Sequence, residues 1–164
     1  MTVAKIVERL ESELITAENF QNYGQVIFPN QDAKAFDIHD AQLKLDGGIP
    51  RFYIMRLHQR GRKFHTITRH VKSTQCLGSL MGKDWLIGVC PANNETNEPL
   101  LSEIRAFRIP GDCFINLKVG TWHAGPYFEH DVVDFYNLEL SDTNVVDHFT
   151  YNFLKSQQIE FEIV

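Results

Sequence analysis

From residue 25 onward the chain is a series of short runs rich in Val, Ile, Thr, Phe and Tyr, each cut off by turn formers. QVIF (25–28), RFYIMRL (51–57), KFHTITRH (63–70), QCLGSL (75–80), DWLIGVC (84–90), IRAFRI (104–109), CFINLKV (113–119), HDVVDFYNLEL (130–140) and IEFEIV (159–164) span four to eleven residues. Between most of them stand DGG, GK, NNETNEP, PGD, GTWHAGP and SDTN. Runs of this length are too short for stable helices, and β-branched and aromatic residues pack well on a pleated surface. Regular short strands with hairpin-type turns lead to a sandwich or a barrel. The fold class expected is therefore all-β, an antiparallel β-barrel or sandwich with one short N-terminal helix. Twelve Phe supply a thick aromatic core.

That helix is placed at TAENFQNYG (16–24), with Thr16 as cap, Phe20 and Tyr23 on one face and Gly24 as the stop. The opening VAKIVERLESELIT (3–16) reads as either a short helix or an extended entry segment. No repeat, low-complexity tract or linker interrupts the 164 residues, which form a single domain over 1–164.

The net charge of −5 argues against a nucleic-acid surface, because neutralising phosphates needs a basic face. The brief basic cluster HQRGRK (58–63) reads as a solvated loop. No apolar segment reaches membrane or signal-peptide length. Three cysteines, Cys76, Cys90 and Cys113, have no CxxC spacing and read as core thiols, which suits a reducing cytoplasm.

Strand alternation makes a site argument possible. In KFHTITRH, Thr66, Thr68 and His70 share one face, whereas His65, Ile67 and Arg69 share the other. The spacing Thr68-x-His70, four residues, Gln75, six residues, Gly82 is similar to the first cupin motif. Gly111 followed by Lys118-x-Gly120-x-x-His123 is similar to the second, one residue late. The four metal-binding positions of that pattern hold Thr68, His70, Gln75 and His123 here. Two imidazoles and an amide oxygen make a weak divalent-metal donor set.

ITRHVKSTQ (67–75), IRAF (104–107), NLKVGTWH (116–123) and VVDF (132–135), in this order, resemble the ureidoglycolate lyase family. Its members carry an E-R-H-x4-Q segment, an RAF strand and N-Y-H-x-G-T-W-H-H-P. The resemblance implies a cupin-like barrel, usually a homodimer, that splits ureidoglycolate into glyoxylate and urea during purine or allantoin breakdown. It also implies a site in which His70 and His123 share acid–base work. Arg69, Gln75, Asn116, Lys118 and Trp122 would bind the substrate, with Lys118 or Arg69 on its carboxylate. Nickel, manganese or zinc, if held, would sit weakly on His70, Gln75 and His123. The chain departs from the family at Thr66 and Thr68, where acidic residues are expected, and at Lys118 and Ala124, where histidines are expected. These departures keep a rival reading in view: a non-catalytic or differently specific cupin that binds a small carboxylated metabolite. His39, His58, His130 and His148, in polar stretches, receive no role, and His65 reads as structural.

Overall fold

The computed structural model describes residues 4–164. Fourteen strands carry most of the regular structure. They are β1 (Ile6–Leu10), β2 (Ser12–Leu14), β3 (Gly24–Ile27), β4 (Pro50–His58), β5 (Lys63–Phe64), β6 (Thr66–Arg69) and β7 (Gln75–Ser79). The remainder are β8 (Gly82–Cys90), β9 (Arg105–Gly111), β10 (Phe114–Leu117), β11 (Trp122–Tyr127), β12 (Val132–Leu140), β13 (Phe149–Asn152) and β14 (Ile159–Ile163). Two short helices, α1 (Thr143–Val146) and α2 (Phe153–Gln157), flank β13.

The strands form three layers. A five-stranded antiparallel sheet, ordered β3-β10-β7-β12-β4, faces a six-stranded sheet ordered β13-β6-β11-β8-β9-β2. A third sheet, β1-β14-β5, covers the back of the six-stranded one together with α2. None of the sheets closes on itself, so the all-β expectation holds as a sandwich rather than a closed barrel. It is also not purely antiparallel: β1 runs parallel to β14, and β2 parallel to β9.

Phe20, Leu77, Trp85, Ile87, Phe107, Ile115 and Phe135 fill the space between the two large sheets. A second cluster, with Ile67, Trp122, Phe153 and Phe161, lies behind the six-stranded sheet. Each large side chain so buried stabilises the fold by about 1.5–3 kcal/mol before entropy is subtracted.

The N-terminal helix does not form. Residues 17–23 make successive turns. Thr16 Oγ1 accepts from the Asn19 amide at 3.0 Å while Asn19 Oδ1 accepts from the Thr16 amide at 2.8 Å. Only isolated bonds such as Phe20 N to Thr16 O and Gly24 N to Phe20 O follow. Burial of Phe20 and Tyr23 against Phe107 holds the segment, which is too short for helix propensity to prevail. The opening segment is extended, as β1 and β2.

Candidate functional site

The inward faces of the strands change character toward one end of the sandwich. On β12, Val133 and Phe135 lie in the core, but Asn137 and Glu139, on the same face, line a cavity. On β4 the wall is Tyr53, Met55 and Leu57, and on β7 it is Gln75 and Leu77. The opposite wall comes from Thr66, Thr68 and His70 at β6 and from His123 to Tyr127 on β11. Arg60, Asn144 and His148 complete a space of about 310 Å³, at the small end for a metabolite site.

Two glycines shape the β11 wall. Gly120, at φ +86°, sits in the turn before β11, and its amide donates to His70 O at 2.7 Å. The GTWH turn is thereby tied to the strand end that carries His70. Gly125, at φ +122°, lies in the bulge that shifts register between Ala124 and Tyr127. Left-handed φ is strained for any other residue, so glycine allows that bend.

His70 and His123 meet across neighbouring strands, with ring centroids 5.2 Å apart. His70 is buried, and its Nδ1 lies 2.5 Å from the Asp147 carbonyl. A carbonyl only accepts, so Nδ1 carries the proton and Nε2 keeps its lone pair. Asp147 is itself fixed, its carboxylate accepting from the amides of Val71 and Lys72 at 2.8 and 2.9 Å. Burial lowers the His70 pKa, partly opposed by the Asp147 bond. For His123, burial and then the neighbouring His70 push it down to about 3. Both rings are neutral near pH 7, as a base must be. His148, which sequence reasoning passed over, adds a third ring 5.8 Å from His70.

Facing them is Glu139, 1% exposed and the one carboxylate among the described cavity-lining residues. Gln75 Nε2 donates to its Oε2 at 3.3 Å and to Asn137 Oδ1 at 3.1 Å. Asn137 Nδ2 donates in turn to Tyr53 Oη at 3.1 Å. Burial raises the Glu139 pKa, favouring the protonated acid. Gln75 Oε1 is buried with no partner, an acceptor waiting in the cavity wall.

Of the site residues singled out from sequence, the structure brings His70, His123 and Gln75 into the cavity and leaves Arg69, Trp122, Asn116 and Lys118 outside. Alternation turns Arg69 and Trp122 to the other face of the six-stranded sheet. There the guanidinium stacks 4.7 Å over the indole and donates to Asn97 Oδ1. Asn116 points away from the core on β10 and is pinned by Gln25 and the Gln42 carbonyl. Lys118 Nζ bonds the Gln21 carbonyl at the surface. Asp134 pairs with Arg56 on the outer face at 2.8 and 3.0 Å.

The cupin-type metal set is not assembled here. Thr68 Oγ1 is 3.1 Å from Thr150 Oγ1, and the Gln75 amide nitrogen is engaged by Asn137 and Glu139. Among the described residues no three His, Cys, Asp or Glu side chains converge as a metal cluster. The residues present do not fit a tightly held divalent ion.

A family model described as Ureidoglycolate lyase matches residues 7–155, nearly the whole chain. The chain belongs to the ureidoglycolate lyase family. No curated protein matches its sequence significantly. The family's E-R-H and W-H-H segments therefore supply one cavity imidazole each, His70 and His123. Their Arg69 and Trp122 instead clamp β6 to β11 from behind. The family positions held here by Thr68 and Ala124 still line the cavity, but with no ionisable group. Nothing in the strand pattern marks Arg60, Tyr53 or His148. Asn137 and Glu139 did carry a signal, two polar residues in phase with the buried Val133 and Phe135. No helix among the described residues is long and apolar enough to cross a membrane.

Proposed function

We propose that the protein is a ureidoglycolate lyase that uses paired imidazoles facing a buried carboxyl group. The observation that carries this reading is the convergence of neutral His70 and His123, 5.2 Å apart, on the cavity that also holds Glu139. Ureidoglycolate is a carbinolamide. A neutral imidazole takes the hydroxyl proton, the oxygen lone pair forms the aldehyde of glyoxylate, and the C–N bond breaks with its electrons on nitrogen. That nitrogen must be protonated to leave as urea. Glu139, its pKa raised by burial, is placed to donate this proton and recovers it from the imidazolium after each turnover. Gln75 Oε1, the unpartnered acceptor, takes a ureido N–H.

Nickel, manganese or zinc is at most a weak visitor in this reading, on His70, His123 and Gln75. We place the protein in the cytoplasm as a homodimer. The C-terminal strand β14 offers no edge to a second copy, because β1 and β5 cover both its sides. Support for the dimer comes from β4, an edge strand of the five-stranded sheet, whose outer face exposes Phe52 (71%) and Ile54 (63%) beside the Tyr136 ring.

The test is to incubate purified protein with ureidoglycolate, with and without each metal, and measure glyoxylate and urea. Turnover above the spontaneous rate without metal is expected. No acceleration under any condition would remove the lyase reading and leave the metabolite-binding rival.

A further inference from the structure

The substrate carries a carboxylate that must be neutralised once it leaves water, and neither cation expected to do this reaches the cavity. Lys118 is held by the Gln21 carbonyl and Arg69 lies behind the sheet on Trp122. Arg51, next to the cavity on β4, stacks 3.7 Å over the Tyr53 ring and is not part of the wall. Lys and Arg are the side chains that hold a full positive charge throughout the working pH range. Among the described lining residues, Arg60 is the single one of either kind.

Its setting suits an anion. The guanidinium lies 5.3 Å over the Tyr127 ring, and its Nη2 donates to Pro126 O at 3.4 Å. It forms no ion pair with any described carboxylate, unlike its neighbour Arg62, which is paired with Glu129. Stacking on an aromatic face restrains the planar fork while leaving its edge free for two parallel hydrogen bonds to a carboxylate. The carboxyl of Glu139 belongs to the β7–β12 wall, with Gln75 and Asn137, whereas Arg60 sits by Pro126 and Tyr127 of β11. An anion is therefore drawn to the Tyr127 end, where the one guanidinium of the wall lies.

Resting on the lyase reading, we propose that Arg60 is the carboxylate anchor that selects α-carboxylated carbinolamides and fixes their direction in the cavity. The carboxylate sits on Arg60, the carbinol carbon by His70 and His123, and the ureido group against Gln75, Asn137 and Glu139. The leaving nitrogen then faces the carboxyl group that protonates it.

Two measurements decide it. The first compares ureidoglycolate with hydroxymethylurea, the same carbinolamide without its carboxylate, in the native protein and in Arg60→Ala. The native protein should prefer ureidoglycolate. Arg60→Ala should raise KM for ureidoglycolate about 10- to 100-fold, leave kcat within a few-fold, and erase the preference. The second is calorimetric binding of glycolate and of urea, which needs no turnover. Glycolate affinity should fall by a similar factor in Arg60→Ala and recover in part in Arg60→Lys, with urea binding unchanged. A preference for ureidoglycolate, or a glycolate affinity, that survives Arg60→Ala within threefold overturns the proposal. Absence of turnover by the native protein would remove the lyase reading, whereas the glycolate titration would still decide whether Arg60 holds carboxylates.

Discussion

Replacing His123 by Asn should flatten the acid limb of the protein's stability curve. The imidazole is held neutral in the fold, with its pKa pushed down to about 3 by burial and by His70. In the unfolded chain it titrates near 6.5. Below that pH the unfolded state binds a proton that the native state refuses, so stability is complete above about pH 6.5 and is lost as pH falls toward 3. Between pH 7 and 5 the loss from this one group is about 2 kcal/mol. Because pH 5 lies above the folded value, the unfolded state sets the cost. Urea unfolding at pH 7, 6 and 5 reads it directly, as the native protein minus His123→Asn. The difference should fall by about 2 kcal/mol from pH 7 to pH 5. His70, lowered chiefly by burial, contributes to the acid limb of both proteins and so largely cancels. A difference that stays constant between pH 7 and 5 would show that His123 titrates in the fold as it does in the unfolded chain, and one that rises toward pH 5 would show that it is held charged. The latter result would also remove the neutral-base assignment.

Glu139→Gln keeps the shape of the side chain and one of its two acceptor oxygens, for Gln75 or for Asn144, but offers no acid; kcat should fall about 100-fold or more with KM within a few-fold. A loss confined to KM would make Glu139 a binding residue. Phe52→Lys with Ile54→Lys, on the exposed face of β4, should leave the fold intact and shift the particle from dimer to monomer in sedimentation. An unchanged sedimentation coefficient rejects that face as the contact. Elemental analysis after dialysis should give well under one equivalent of nickel, manganese or zinc, because among the described residues no three His, Cys, Asp or Glu side chains converge. A full equivalent would show that Gln75 and the two histidines rearrange around an ion.

The family and layer type were legible because both are written in short-range order. Turn formers between β-branched runs mark strand ends, and alternation in KFHTITRH placed Thr66, Thr68 and His70 on the cavity side with Ile67 and Arg69 behind. The same rule applied to VVDFYNLEL puts Asn137 and Glu139 on the core face, so half of the polar wall was readable once Val133 and Phe135 were known to be buried. The segment at 16–24 was misread as a helix because its cap and stop signals are real, yet they close only separate turns.

By itself, then, the sequence determined most of the strands from residue 25 onward, the inward face of β6 and the family, since these depend on periodicity and on motifs a few residues long. It could not determine which strand neighbours which, because backbone hydrogen bonds between strands are nearly blind to side-chain identity. Pairing decided that β4 and β12 lie opposite β6 and β11, and so brought Arg60, Tyr53, Glu139 and His148 to the same space as His70 and His123. It also set Arg69 and Trp122 on the far side of the sheet that carries them. Charge follows placement: an arginine in the family motif holds two strands together, and one in an unremarkable loop faces the cavity.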